Sequence, residues 1–185
     1  MDIRLIRCVA AGCTLAALTL PAFGQSAEQI EVAVARADGT TAGTVIFREV
    51  AHGVVMTARL RNLPEGPHGF HIHERGACEP PDFDSAGGHY APQGHSHGFD
   101  NPEGYHAGDL PNVHVAADGT AQAEFFAPRL TLRADAADPD EAPFSLDDQD
   151  GSAVMVHADV DDYRADPAGS TGSRIACGVI FPAER

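Results

Sequence analysis

Residues 29–60 alternate apolar and polar side chains with a period of two. In QIEVAVAR, the side chains of Ile30, Val32 and Val34 would all point to one face of an extended chain. The turn sequence ADGT follows, and then GTVIFREV and AHGVVMTARL continue the β-type pattern. This stretch therefore predicts three consecutive strands.

Further β-type segments occur later in the chain, separated by turn residues and long loops. They read GFHIHE, NVHVA, AQAEFFA, SAVMVHADV and RIACGVIF, and a second ADGT turn occupies residues 117–120. No segment has the pattern of a long helix. About eight strands without a helix predict an all-β fold, either an antiparallel sandwich or a barrel.

Three stretches resist assignment to strands. Residues 75–111 are rich in Gly, Pro, Asn and Asp but also contain four histidines. A loop of this length in a compact domain is usually functional or disordered, and a bound metal would order it. Residues 134–150 are acidic and contain neither His nor Cys, which favours a solvated surface loop. Residues 158–173 form a third loop that leads to Arg174.

The first 24 residues have the composition of a secretory signal peptide. Arg4 and Arg7 precede the apolar run CVAAGCTLAALTL, and small residues follow it, so cleavage is predicted after Gly24. Two alternatives are a membrane anchor, for which the run is short, and a lipoprotein attached through Cys13. The prediction leaves residues 25–185 as one exported, periplasmic domain without stable membrane insertion.

The predicted cleavage determines the charge and the cysteine content of the mature domain. The chain carries a net charge of −15. Residues 1–24 contribute two Arg and one Asp, so the mature domain is one unit more negative. This charge argues against a nucleic-acid partner. Only Cys78 and Cys177 remain after cleavage, and in an oxidising compartment they are predicted to form a disulfide; two unpaired buried thiols are the alternative.

Histidines supply the candidate chemistry. His71 and His73 share one face of a predicted strand, and further histidines lie in the long loop and in a late strand. Six histidines and one aspartate exceed the needs of one four-coordinate ion, so we expect two adjacent ions, with one deprotonated imidazole able to bridge them. Three histidines with a carboxylate suit zinc, and an all-imidazole set suits copper. The candidates are His71, His73, His89, His97, His106, Asp109 and His157.

The remaining histidines are assigned other roles. His52 has the context of a turn residue, and His68 and His114 are interpreted as structural or exposed. His95 is treated as a loop neighbour, although the residues alone do not decide between His95 and His97.

Five segments together resemble one known family. GFHIHERG, SAGGHYAP, HAGDLPN, MVHADVDD and GSRIACGVI occur in the order and approximate spacing of the copper/zinc superoxide dismutases. The likeness spans most of residues 28–182 and is closest to the bacterial periplasmic branch. It implies an eight-stranded, immunoglobulin-like Greek-key barrel or sandwich with long metal-binding and electrostatic loops.

The resemblance also implies roles for individual residues. It selects His97 over His95, makes His89 the bridge and a catalytic residue, and places Arg174 beside the copper. Asp161 would join a copper-ligand histidine to a zinc-ligand histidine, and Cys78 with Cys177 matches the family disulfide. The implied copper ligands are His71, His73, His89 and His157, and the implied zinc ligands are His89, His97, His106 and Asp109.

The implied activity is disproportionation of superoxide to O₂ and H₂O₂ by alternate reduction and reoxidation of copper, with a structural zinc. Arg174 would attract the anion against the acidic chain, and Arg164 is a second candidate. A homodimer is possible, and the copper donor is left open. The alternatives are a periplasmic copper or zinc binding or delivery protein with a dismutase-like fold, and an adhesion-type sandwich.

Three departures from the family pattern concern loops. EPPDFD lengthens the segment after Cys78, the acidic stretch 134–150 is longer, and the loop before Arg174 is shorter. We expect these changes to affect subunit contacts and the steering of the anion.

Overall fold

A computed structural model of the chain describes residues 29–132 and 143–184. The predicted signal peptide lies outside the described residues, as does part of the acidic stretch 134–150. No helix in the described residues is both long and apolar enough to cross a membrane.

The described residues form eleven strands and one three-residue 3₁₀ turn. All eight predicted strands are present, which confirms the all-β fold class. The elements are β1 (Gln29–Arg36), β2 (Thr41–Val50), β3 (Gly53–Leu60), β4 (Gly66–His68), β5 (Phe70–His73), the turn Asp84–Ala86, β6 (Val113–Val115), β7 (Ala121–Ala127), β8 (Leu130–Thr131), β9 (Phe144–Ser145), β10 (Ser152–His157) and β11 (Arg174–Phe181).

Three of these strands are additional to the prediction, namely β4, β8 and β9. Each has only two or three residues. Such segments are too short to display a period of two, so their pairing depends on the tertiary structure rather than on a local pattern.

The sheet is antiparallel and seven-stranded, in the order β5-β10-β11-β1-β2-β3-β7. β4 and β6 form a separate antiparallel pair, and β8 and β9 form a short parallel one. The two chain ends of the domain therefore meet in the middle of the sheet, where β1 pairs with β11. β5 lies at one edge of the sheet and pairs with β10. Residues more than eighty positions apart in the sequence therefore become neighbours.

The apolar core covers one face of this sheet, and side chains of the edge strand β5 are buried in it. Phe47, Met56, Phe70 and Ile72 are fully buried within one apolar cluster. Burial of a side chain of this size stabilises the fold by roughly 1.5–3 kcal/mol. Ile72 points into this core, so the alternation along β5 turns His71 and His73 to the opposite face.

Candidate metal centre

Two adjacent strands present three of the candidate ligands. His71 and His73 lie on β5, and His157 is the last residue of β10, which pairs with β5 in antiparallel register. The Nε2 atoms of His73 and His157 are 3.3 Å apart. Two nitrogens that share a tetrahedral ion at about 2.0–2.1 Å would be separated by about 3.3 Å.

The long loop 75–111 runs beside β5 through backbone hydrogen bonds. The Tyr90 amide donates to the Ile72 carbonyl at 2.8 Å, and the Ile72 amide donates to the Gly108 carbonyl at 2.9 Å. A side chain at Gly108 would overlap the Ile72 carbonyl, so only glycine permits this approach. The pairing brings His89 opposite His73 and Asp109 opposite His71.

The first group of candidate ligands consists of four histidines. Each offers a ring nitrogen within 4.8 Å of the others, and all four side chains are buried. His71 Nδ1 and His89 Nε2 have no hydrogen-bond partner. Buried polar atoms are normally satisfied, so these two orphaned nitrogens fit an ion in the centre of the group. The members are His71, His73, His89 and His157.

The outer ring nitrogens of the three strand histidines are all engaged. This leaves the inner nitrogen of each ring free to coordinate, which is how surrounding partners usually orient metal-binding imidazoles. The partners are Asp161 Oδ2, 2.7 Å from His71 Nε2, the Gly87 carbonyl, 3.0 Å from His73 Nδ1, and the Thr171 hydroxyl, 3.1 Å from His157 Nδ1.

The second group is built around Asp109. Its Oδ1 faces the Nδ1 atoms of His89 at 2.9 Å, His97 at 3.1 Å and His106 at 3.3 Å. Its Oδ2 accepts backbone hydrogen bonds from Gly98 and His106. Three imidazole nitrogens that converge on one carboxylate oxygen match the three-histidine, one-carboxylate donor set that suits zinc.

His89 belongs to both groups. Its Nδ1 faces Asp109 in the second group, and its unpartnered Nε2 faces the first group. One imidazole therefore presents a nitrogen to each candidate ion, in the arrangement that the sequence predicts for the bridging residue.

Asp161 connects the groups from outside. Its Oδ2 lies 2.7 Å from His71 Nε2, and its Oδ1 lies 3.0 Å from His97 Nε2. The Tyr163 amide donates to Oδ1 at 2.7 Å, and the Asp161 amide donates to Asn112 Oδ1 at 2.8 Å. The carboxylate is thus fixed between one histidine of each group.

The two groups differ in their proton affinities. Burial lowers the pKa of His89 to about 4 and that of His157 to about 2, so both rings stay neutral. Burial also disfavours a charged His97, but its bonds to Asp109 and Asp161 outweigh this and raise its pKa to about 9. In the second group a metal would therefore displace a proton as it binds.

Arg174 lies at the mouth of the first group. Its guanidinium donates to the Phe83 carbonyl at 2.6 Å and to the Gly87 carbonyl at 2.7 Å. Its side chain is 20% exposed. Together with His89 and His157 it lines a cleft of about 580 Å³.

The predicted disulfide between Cys78 and Cys177 is confirmed. It ties the segment after β5 to β11, three residues beyond Arg174. Phe83 belongs to the lengthened segment EPPDFD, and its carbonyl holds Arg174. The extra residues therefore contribute directly to the position of the cation, a role that their sequence does not indicate.

The histidines assigned other roles lie outside both groups. His52 and His114 are exposed. His68 is buried, with its ring nitrogens 2.9 Å from the carbonyls of His157 and Pro64, and His95 Nδ1 lies 3.3 Å from the Tyr105 carbonyl. The structure thus brings His97, and not His95, to the second group.

Arg164 does not line the cleft. Its side chain is 76% exposed and pairs with Asp100 at 3.1 Å. The residues that the sequence does not identify are Thr171, Asn112, and Phe83 and Gly87, whose carbonyls accept hydrogen bonds from Arg174. Asn112 closes the motif HAGDLPN, so its place in that motif is a signal that could have identified it.

The antiparallel β fold and two buried ligand groups that share one histidine define a β-barrel protein with a two-metal centre. The profile of the copper/zinc superoxide dismutase (SODC) family matches residues 41–180. The chain belongs to this family, as its motifs predict, and copper and zinc are the cofactors of the family.

Individual relatives agree with this assignment. The chain is 44% identical over 144 residues to "Superoxide dismutase [Cu-Zn]" of Caulobacter vibrioides, covering 77% of this chain and 80% of the relative. A proline-to-histidine mutant of a SOD-like protein from Bacillus subtilis matches with a TM-score of 0.76 and 38% identity, over 82% of this chain and 97% of that one. Cu/Zn superoxide dismutase from Brucella abortus matches with a TM-score of 0.66 and 31% identity, over 83% and 99%.

Proposed function

We propose that this protein is a superoxide dismutase whose first group binds copper and whose second group binds zinc. The copper ligands would be His71, His73, His89 and His157, and the zinc ligands His89, His97, His106 and Asp109. The observation that carries this proposal is the double role of His89, with Nδ1 at Asp109 and an orphaned Nε2 among the other three histidines.

Copper supplies the redox chemistry when bound, because it can accept one electron and return it, so that two superoxide anions and two protons give O₂ and H₂O₂. Zinc has no accessible redox change and would serve to hold His89 and its loop. The residues around the pair supply substrate binding, proton transfer and geometry.

Arg174 would bind the anion. A guanidinium has five N–H donors, and the carbonyls of Phe83 and Gly87 engage only part of this set. Asp84 Oδ1 also lies 3.9 Å from this guanidinium, on an exposed side chain, and the donors that no carbonyl engages would bind a small anion in the cleft. The mature chain is acidic, but screening over about 8–10 Å suppresses distant charges, so the local cation decides the final approach.

His89 would transfer a proton at Nε2. This nitrogen belongs to the buried wall beside His157, and the ring lines the cleft that Arg174 guards. Nε2 could take up a proton only while it is not bound to copper; it would then give this proton to the peroxide, and solvent in the cleft would supply the second proton of H₂O₂. Its Nδ1, directed to the zinc side, keeps the ring in place during this exchange.

We also propose that residues 1–24 export the protein and that the mature domain, residues 25–185, works in the periplasm. The Cys78–Cys177 disulfide supports this, since such bonds persist in oxidising compartments. Homodimer formation remains a prediction, and light scattering coupled to gel filtration would measure it.

A second candidate function is copper or zinc binding or delivery without turnover. The similarity to a SOD-like protein from Bacillus subtilis supports this second candidate. Against it, the chain retains both complete ligand groups and Arg174 at the cleft.

One experiment separates these functions. The purified mature protein is loaded with both metals, its metal content is measured by mass spectrometry, and inhibition of superoxide-driven dye reduction is assayed on the same sample. We expect one copper and one zinc per chain with strong inhibition. Two metals per chain without inhibition would instead identify a binding protein.

A further inference from the structure

Thr171 has an unusual place among the residues that surround the copper group. It is 2% exposed, and its hydroxyl lies 3.1 Å from Nδ1 of His157. His71 and His73 receive their outer partners from a carboxylate and a backbone carbonyl. His157 is the one strand histidine with a hydroxyl partner, which it has in addition to a backbone hydrogen bond at Gly172, and this hydroxyl belongs to a residue that lines the substrate cleft.

The hydrogen bonds of Thr171 determine which atom donates. Its Oγ1 lies 2.8 Å from the Ala168 carbonyl, which can only accept, so the hydroxyl proton is directed there. Oγ1 is then an acceptor towards His157, and the ring proton must be on Nδ1. This tautomer leaves a lone pair on Nε2, the nitrogen that faces His73 at 3.3 Å.

Thr171 is itself held on two further sides. Its carbonyl accepts from the Asp159 amide at 2.9 Å. Its methyl group lies against Gly69, where an added Cβ would come within 2.5 Å of Cγ2. The hydroxyl therefore occupies a fixed position rather than one it reaches by side-chain rotation.

We propose that Thr171 is a positioning residue, which acts together with the Gly172 backbone to fix the Nδ1-protonated tautomer and the ring orientation of His157 for copper. The inference rests on the proposed function, because it takes His157 as a copper ligand. Partners of this kind typically change metal affinity by about 10–100-fold when they are removed.

The test compares two substitutions in protein whose zinc group is already loaded. Thr171→Val removes the hydroxyl and keeps the shape, and Thr171→Ser keeps the hydroxyl and removes the methyl. Copper(II) affinity is measured by competition with a chelator, and the copper environment by electron paramagnetic resonance. Ser173→Ala, which removes an exposed hydroxyl two residues away, is the matched control.

We expect Thr171→Val to bind copper about 10–100-fold more weakly with an altered spectrum. Thr171→Ser and Ser173→Ala should stay close to wild type, and zinc affinity should be unchanged in all three. Wild-type copper affinity and spectrum in Thr171→Val would overturn the inference. An equal loss in Thr171→Ser would also overturn it, because packing rather than the hydroxyl would then be responsible, and so would a parallel loss of zinc.

The proposed function fails by a different result. If wild-type protein binds no copper that depends on His157, the assignment of the copper group is wrong whatever Thr171 does. Melting curves of each variant show whether it is folded before its affinity is interpreted.

Discussion

The first ligand group, for which we propose copper (the copper group), and the second, for which we propose zinc (the zinc group), are built in different ways. Three of the four copper-group histidines come from β5 and β10, whose positions are set by a continuous hydrogen-bonded sheet. All members of the zinc group lie in residues 89–109, in a loop without extended strand pairing. A sheet can hold ligands in place before the ion arrives, but the loop depends on its carboxylate and on the metal itself.

The difference extends to charge. The copper group has no carboxylate among its members, so burial keeps its rings neutral. The zinc group contains Asp109, whose bonds to His106, His89 and His97 hold its pKa far below the usual range although burial opposes this. An all-imidazole donor set suits copper, and three histidines with a carboxylate suit zinc.

The largest effect is expected from His157→Ala, which removes a member of the copper group alone. Dismutation should fall by more than about 100-fold, beyond the range seen when only an outer partner is lost. Zinc should remain near one per chain, because the zinc group is intact. His114→Ala, an exposed histidine on β6, is the control. Retained dismutation in His157→Ala would refute the copper assignment.

Asp161→Ala should weaken both groups, because its two oxygens contact His71 and His97. We expect the affinity for each metal to fall by about 10–100-fold in chelator competition. Asp162→Ala, at the exposed neighbouring carboxylate, is the comparison. If the affinity for only one metal falls, Asp161 does not connect the two ligand groups.

Arg174→Ala should slow turnover by about tenfold and weaken its dependence on salt, since the local attraction for the anion is lost. Metal content should not change, because Arg174 belongs to neither group. Stopped-flow rates at several ionic strengths give both quantities. Arg164→Ala should leave them as in wild type, and identical rates in Arg174→Ala would exclude a role in binding superoxide.

The smallest effect concerns the pH dependence of the metal-free protein. His89 and His157 have folded pKa values below the ordinary 6.5, so the unfolded chain takes up protons first and stability falls as the pH drops through 6.5. His97 has its pKa raised to about 9, so its contribution is complete below 6.5 and is lost as the pH rises through 9.

Urea unfolding of the metal-free protein should therefore show greatest stability near neutral pH. We expect a net loss of about 0.7 kcal/mol between pH 7 and pH 6, because His89 and His157 each lose about 0.7 kcal/mol and His97 gains about the same amount, and a further decline above pH 9. The metal-loaded protein should lose more stability than the metal-free protein between pH 7 and pH 6, because its ligand histidines carry no proton when folded but take up protons when the chain unfolds and releases the metals. Equal pH profiles for the two forms would contradict this account.

Alternation in the sequence predicted the strands that bear the copper group, because half-buried strands repeat every two residues. The same alternation places His71 and His73 on one face of the strand. The neighbouring position of His157 was not predictable from alternation, since it depends on the pairing of β5 with β10 across the domain.

Predicting the zinc group from the sequence requires a different kind of information. Composition identified the loop 75–111 as a source of ligands, but only family motifs distinguished His97 from His95. Carbonyl acceptors such as those of Phe83 and Gly87 leave no signal in the sequence, because every residue has a backbone carbonyl. Thr171 lies in a loop without periodicity, so nothing local indicated that its hydroxyl would meet His157.

The shared ring of His89 makes the two metal affinities dependent on each other. If zinc at Nδ1 orients the ring and so changes the affinity of Nε2 for copper by some factor, copper must change the affinity for zinc by the same factor. The order in which the metals enter can alter the rate of assembly but not this reciprocity. If zinc strengthens copper binding, loss of either metal would therefore weaken the retention of the other, although their ligand groups have only one residue in common.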